Sequence, residues 1–403
     1  MFTGGVPQDP SSSDLSFSDL GLSDAIVQSL NGIGFEHPTP IQTQVIPVAM
    51  VGTDVVGLAQ TGSGKTAAFG LPMAERLMHG KGVRGLILCP TREIALQTRS
   101  FLDVVGKDHE LRTACLIGGV KYGPQLKDLG RHPDIVVATP GRLWDHFERK
   151  NVRLDRIEML VLDEADHMLD LGFLPQIRRI LGALPTERQT LMFSATMPET
   201  IERLSSQFMQ SPTVVDLRPE TRTAEGIEHR LYLVEPENQR ACLVALAAEE
   251  PGSMLVFLRR KVDADWACRQ LELEGHPVEK IHSGRTQRQR VAALQGLRQG
   301  EHRILLATDI AARGIDIPII EHIVNFGMPD TVEDYIHRAG RTARGAMSGT
   351  VSTIATWQDK EAIRSVEKAI GESLPRCVAE GVEPYVERKT TIRGRKKVRR
   401  RLL

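Results

Sequence analysis

The chain has 403 residues with 51 basic and 51 acidic side chains, and its content is 41% hydrophobic and 4% aromatic. That length exceeds what one compact core organises and points to two or three domains; the ordinary apolar and charged fractions exclude a largely disordered chain. No apolar run approaches the ~18 residues of a membrane crossing, the start MFTGGVPQDPSSSD lacks the basic and apolar regions of a secretory signal, and five cysteines without a CxxC pair argue against a disulfide framework or zinc ribbon. A reduced, cytoplasmic protein is expected.

Residues 1–13, rich in Ser, Asp and Pro, are expected to be a disordered leader. The first unit, 14–217, then carries short continuous apolar runs: DVVGLAQ (54–60), GLILCP (85–90), DIVVATP (134–140), MLVLDE (159–164), TLMFSAT (190–196) and TVVDL (213–217). Runs of this kind, set between helical stretches, are the pattern of parallel strands buried on both faces. Near its start lies GFEHPTPIQ (34–42). The side-chain amide of Gln42 places a donor beside an acceptor, the complement of adenine N6 and N7, and Phe17 is a candidate ring to stack on the base. Taken alone, the same residues read as a turn before a helix and a core phenylalanine.

AQTGSGKT (59–66) follows a strand and opens a helix, the setting of a phosphate-binding loop. Gly62 and Gly64 let amides turn toward a polyphosphate, Lys65 supplies a cation and the Thr66 hydroxyl a ligand for Mg²⁺. Ala59 stands where the generic loop pattern has glycine. The run MLVL then ends in Asp163-Glu164-Ala165-Asp166. An acidic strand end beside the loop strand suits hydrated Mg²⁺ at Asp163, with Glu164 next in line to orient and deprotonate water.

RPETRTAEG (218–226) is polar and aperiodic, the expected linker. The second unit, 227–375, repeats the strand pattern in SMLVFL (253–258), RILLATD (303–309), HIVNFGMP (322–329) and GTVSTIA (349–355). In TVEDYIHRAGRTARG (331–345), Thr331 is a predicted N-cap with Asp334 reciprocating. Arg338, Arg341 and Arg344 would share a face if that helix continues, either as a solvated stripe or as arginine fingers on a γ-phosphate. From 376 to 403 a tail is expected. Residues 388–403 hold nine basic and no acidic side chains, which leaves 42 basic against 51 acidic before it, about −9. A cationic end on an acidic body suits auxiliary contact with a polyanion such as nucleic acid, weakening with salt.

The ordered series GFEHPTPIQ, AQTGSGKT, PTREIALQ (90–97), Gly118-Gly119, TPGR (139–142), DEAD (163–166), SAT (194–196), VFLRRK (256–261), Gln287 to Arg290, ATDIAARGID (307–316) and HRAGRTAR (337–344) resembles the DEAD-box RNA helicases of superfamily 2. Ala59 is the usual residue of that family. VFLRRK departs from its commoner VFVNTK, which bears on Arg259 and Arg260. The resemblance implies an α/β fold of two tandem RecA-like domains, each a mostly parallel sheet flanked by helices, joined by a short linker. It implies ATP and Mg²⁺ as cofactors and RNA-stimulated ATP hydrolysis coupled to local, non-processive unwinding or remodelling.

By the same resemblance, Phe17 and Gln42 would select adenine; Ala59, Gln60, Thr61, Gly62, Ser63, Gly64, Lys65 and Thr66 would form the phosphate loop; Asp316 would contact ribose. Glu164, Asp163, Lys65, Arg341 and Arg344 would carry hydrolysis, with Thr66 and Asp163 at the metal. Asp166, Ser194, Thr196 and His337 would couple the sites, Ser194 and Thr196 by bonding to Asp166. Pro90, Thr91, Arg92, Gly119, Thr139, Gly141 and Arg142 would contact RNA from the first domain, and Gln287, Arg290, Thr308 and Asp309 from the second. These motifs offer hydroxyls, helix starts, glycines and guanidiniums with almost no aromatics, the chemistry of backbone rather than base recognition. An ATP-gated RNA clamp with little unwinding and a DNA-directed superfamily 2 motor are the competing readings.

Overall fold

A computed structural model describes residues 15–60, 62–78, 80, 82–218, 226–282, 284–309, 320–342 and 348–385. The chain divides into two compact units, each carrying one sheet. The first sheet holds β1 (Val55–Leu58), β2 (Gly85–Leu88), β3 (Thr113–Leu116), β4 (Ile135–Ala138), β5 (Met159–Leu162), β6 (Gln189–Ser194) and β7 (Thr213–Asp216). Their order across the sheet is β3-β4-β2-β5-β6-β1-β7, with parallel pairing such as Val55 against Leu191 and Leu86 against Leu160.

Alternate residues of these strands enter opposite cores. Val55, Ile87, Val137, Val161 and Leu191 pack on one face; Val56, Leu58, Leu86, Leu88, Leu160 and Met192 pack on the other. Helices cover both faces, which is why the strands read as continuous apolar runs. The first face is closed by helix Pro40–Met50 and helix Lys65–Leu77 through Ile41, Val45, Phe69 and Leu71.

The second sheet holds β8 (Ile227–Leu233), β9 (Met254–Leu258), β10 (Val278–Ile281), β11 (Ile304–Thr308), β12 (His322–Phe326), β13 (Gly349–Ala355) and β14 (Arg376–Cys377), in the order β10-β11-β9-β12-β13-β8-β14. Residues 376–385, assigned by the sequence to the tail, pack onto this sheet, which Arg376–Cys377 joins as a strand. Arg376 and Cys377 pair in parallel with Leu231 and Tyr232, Tyr385 N donates to Leu233 O at 2.8 Å, and Ala379 and Val382 are buried in the core. An apolar pair following a strand-forming dipeptide suffices to hold the segment down, although it has no helical period for sequence reasoning to find. The leader 1–13, most of the linker and residues 386–403 lie outside the described residues.

All five cysteines are free thiols, Cys89, Cys115, Cys242 and Cys268 buried and Cys377 partly so. Among the described residues no helix is long and apolar enough to cross a membrane.

The second sheet buries two histidines. His322 on β12 is 3% exposed, with Nε2 2.8 Å from Ser352 Oγ; His229 on β8 has Nδ1 2.7 Å from Tyr335 Oη. Burial pushes the His322 imidazole down to about 4, with Glu250, Arg230 and Glu228 contributing smaller, partly cancelling fields. Burial also lowers His229. Between the ordinary histidine value and about 4 the unfolded chain binds the extra proton and the folded chain refuses it, so stability falls as pH drops through that window. His322 alone should remove about 3 kcal/mol between pH 7 and pH 4. Denaturant midpoints of the wild type and His322→Gln at both pH values check this: the variant should lose less on acidification, and an equal loss refutes the assignment.

Candidate active site

Glycine builds the loop between β1 and helix Lys65–Leu77. Gly62 and Gly64 take φ of +86° and +96°, a region that side-chain-bearing residues rarely adopt. At Gly64 a Cβ would also lie 2.7 Å from Thr39 Oγ1 and closer still to Gln42 Nε2. Both neighbours come from the start of helix Pro40–Met50, where Thr39 and Gln42 form a capping box. Thr39 Oγ1 donates to Ser63 O (2.8 Å), Gln42 Nε2 donates to Gly64 O (3.1 Å), and Gln42 Oε1 accepts from Thr39 N (2.8 Å). Gln42, 1% exposed, is therefore stitched to the phosphate loop, a contact its adenine assignment did not anticipate.

Lys65 Nζ donates across the loop to Ala59 O at 2.9 Å, and Ala59 N donates to Ser194 O at 3.1 Å. Gln60 and Gly62 are exposed, Ser63 and Thr66 half-buried; Thr61 lies outside the described residues. Phe17, expected to stack on a base, is instead 2% exposed within the first core. It belongs, with Leu20 and Ile41, to that core, onto which the short turn Phe17–Leu20 carries it.

The acidic strand end needs one correction. β6 lies between β1 and β5, so Asp163 stands one strand away from the loop strand rather than beside it. Lys65 still reaches it electrostatically. The Asp163 carboxyl, 4% exposed, is pushed up to about 7 by burial first and then by the charge of Glu164, with Lys65 opposing. Glu164 takes the left-handed backbone (φ +48°) at the head of helix Ala165–Asp170, a costly conformation for a residue with a side chain. Its Oε2 lies 3.0 Å from His167 Nδ1.

Asp166 ties β5 to the turn after β6. Its Oδ2 accepts from Ala195 N (3.0 Å), Thr196 N (2.9 Å) and Thr196 Oγ1 (2.9 Å), and its Oδ1 from His167 N (2.9 Å). The expected Ser194 bond is absent: Ser194 Oγ is buried with no partner among the described residues, while two backbone amides take the place assigned to it. Alternation along β6 turns Ser194 to the face that holds Met192, leaving the following turn to face the carboxylate.

The first-domain motifs expected to contact RNA converge. Thr91 caps helix Arg92–Val105, its Oγ1 accepting from Ile94 N at 3.3 Å, directly after Pro90. The Arg92 guanidinium fills the space over Gly119 (φ +69°). Thr139 precedes helix Pro140–Glu148, where Gly141 is exposed and Arg142 Nη1 donates to Val120 O at 3.0 Å. The structure corrects the expectation that aromatics are nearly absent here. Tyr122 packs against Arg142 (4.6 Å from guanidinium carbon to ring centroid) and Arg149 (4.9 Å), with the His146 ring 5.0 Å away. Burial, then the charges of Arg92 and Arg149, lowers Arg142. The signal was Arg142 and Arg149 seven residues apart on one helical face, three residues of chain from Gly119 to Tyr122.

In the second sheet Thr308 ends β11 with Asp309 next, and Gln287 and Arg290 lie in helix Gln287–Gln299. Helix Val332–Ala339 starts as expected, with Thr331 Oγ1 accepting from Asp334 N at 3.0 Å, and carries His337. It ends at Gly340, so the predicted arginine stripe does not continue. Arg338, 7% exposed, is held inside by Asn325 Oδ1 (2.8 Å) and the Phe257 ring (4.9 Å); Arg341 follows the helix, 8% exposed. Arg344 and Asp316 lie outside the described residues. In VFLRRK, Arg259 pairs with Asp330 and Arg260 with Asp263 at 2.7 and 2.8 Å.

A phosphate loop at the carboxyl end of a parallel sheet, followed by a second parallel α/β sheet, defines a P-loop nucleoside triphosphatase of two RecA-like domains. The DEAD/DEAH box helicase family matches residues 39–204, and the helicase conserved C-terminal domain matches 238–346. The chain is 39% identical over 374 residues to the DEAD-box ATP-dependent RNA helicase CshA of Bacillus cereus, covering 92% of this chain and 71% of that one. Its fold is similar to S. cerevisiae Dbp5 bound to RNA and ADP BeF3 (TM-score 0.81, 27% identity, 91% of this chain and 96% of that one). It is also similar to Mss116p bound to ssRNA and AMP-PNP (0.81, 26%, 92% and 81%). The chain belongs to the DEAD-box ATP-dependent RNA helicases.

Proposed function

We propose that this helicase hydrolyses ATP in response to bound RNA and opens short duplexes locally, without translocation. The observation that carries the reading is the chemistry at Thr91, Arg92, Gly119, Thr139 and Arg142: a capped helix start, glycine and guanidiniums, all suited to phosphate and sugar. Such contacts position a strand without reading its sequence. Tyr122 supports the path by holding Arg142 and Arg149. Pro90, Gly141, Gln287, Arg290, Thr308 and Asp309 extend it by resemblance, and the basic tail adds nonspecific affinity.

For hydrolysis, Lys65 holds the terminal phosphates, Glu164 orients water, and Gln42 reads adenine while reporting to the loop through Gly64. By resemblance, Arg341, Arg344 and Asp316 serve the nucleotide and His337 couples RNA to ATP. Asp163 and Thr66 would hold Mg²⁺, which supplies charge neutralisation on the phosphates. The residues fit such an ion: Asp163 is buried and short of positive charge, and Mg²⁺ takes one or two protein oxygens alongside phosphate.

Losing a few stacked steps at about 1.4 kcal/mol each releases a short helix and not a long one. ATPase should rise on adding RNA and not DNA, and strand displacement should fall sharply once duplexes exceed roughly ten base pairs, as the stacking energy dictates. Turnover unaffected by RNA, or equal displacement of duplexes several times longer, refutes the reading; tight RNA retention under a nonhydrolysable analogue without displacement selects the clamp.

A further inference from the structure

We propose that His167 is a positioning residue for Glu164, holding its carboxylate in place for the attacking water. The inference rests on the reading of Glu164 as the water-orienting base and adds a residue outside the helicase motifs. Glu164 sits in a strained left-handed turn, and His167 lies one helical turn beyond it. The two side chains meet at 3.0 Å, Nδ1 to Oε2, at only 6% and 14% side-chain exposure.

An ionised carboxylate only accepts, so Nδ1 carries the proton and donates. Protected from water, such a bond is stronger than an exposed helical pair of the same spacing. It also fixes one carboxylate oxygen of Glu164 at a defined point relative to helix Ala165–Asp170. His167 is itself anchored: its backbone N donates to Asp166 Oδ1 at 2.9 Å, and Asp166 is bonded to Ala195 and Thr196. One residue thus links the proposed base to the turn after β6. Its Nε2 is buried with no partner among the described residues, so the ring's single polar attachment recorded there is to Glu164.

Two substitutions separate positioning from packing. His167→Leu keeps bulk and removes the donor; His167→Asn places an amide nitrogen near the position of Nδ1. ATPase at saturating RNA should show kcat down by up to about 10²-fold for His167→Leu, the scale of a displaced reacting group, with KM for ATP and RNA affinity unchanged and His167→Asn restoring most of the rate. In a Glu164→Gln background, His167→Leu should cost nothing further. A normal kcat in His167→Leu while Glu164→Gln is inactive overturns this inference and spares the base. Loss of ATP binding together with kcat, unrescued by His167→Asn, assigns His167 to the fold and also overturns it. Near-normal hydrolysis by Glu164→Gln removes the reading beneath.

Discussion

Glu164→Gln should lower RNA-stimulated turnover by about 10³-fold, within the range expected for loss of a general base, while ATP and RNA affinities stay near wild type. The expectation follows from where the side chain stands. Asp163 and Glu164 are adjacent at the end of β5, yet the first is sealed at 4% exposure while the second occupies a left-handed turn at the head of a short helix. Strained backbone of this kind persists where the surroundings impose it, and here Asp166 supplies the restraint through its bonds to Ala195 and Thr196. Glutamine keeps the shape and removes the basicity. Single-turnover hydrolysis, measured beside equilibrium binding of ATP and RNA, decides the matter; hydrolysis within a few-fold of wild type refutes the base.

Gly64→Ala should weaken ATP binding by about 100-fold or more, as overpacking of a tight site implies. Two penalties coincide. The backbone at φ +96° disfavours any side chain, and the added methyl would press on Thr39 and Gln42, the residues that bond Ser63 O and Gly64 O. The loop would be displaced together with the helix start that braces it. Adding Gln42→Ala should not restore affinity, because the backbone strain and the contact with Thr39 Oγ1 remain and the amide that bonds Gly64 O is lost. Calorimetric ATP titration of the single and double variants tests this, and wild-type affinity in Gly64→Ala would show that the loop remodels freely.

Much of this was readable from the chain because its chemistry is contiguous. The phosphate loop, the acidic strand end and the Thr331 cap each lie within a few residues, and central strands such as GLIL and MLVL are apolar throughout because helices cover both faces. The strands the sequence did not disclose are β3, β8, β10 and β14. Three of these are sheet edges and β8 neighbours one; IEHRLYL and VEKI mix charges with apolar residues, so no continuous apolar run announces them, while TACL is as short and as buried as GLIL but carries a threonine and a cysteine in place of aliphatic residues. At the site, the illegible contacts join distant segments: Gln42 to Gly64, Tyr122 to Arg149, Asp166 to the amides of Ala195 and Thr196. Spacing along the chain does not encode these. The orphaned Ser194 hydroxyl makes the same point in reverse, since its residue type invited a bond that strand alternation directs elsewhere.

The short strand Arg376–Cys377 has a bearing on how shortened versions of this protein behave. It shields the outer rim of β8, and the Tyr385 amide reaches back to Leu233 O at 2.8 Å. Clipping the polypeptide ahead of Arg376 would bare a row of unmatched amides and carbonyls along β8 and strip Ala379 and Val382 from the apolar interior, an invitation to strand-to-strand clumping. Clipping it after Tyr385 would keep Arg376, Cys377 and the Tyr385 amide on that rim.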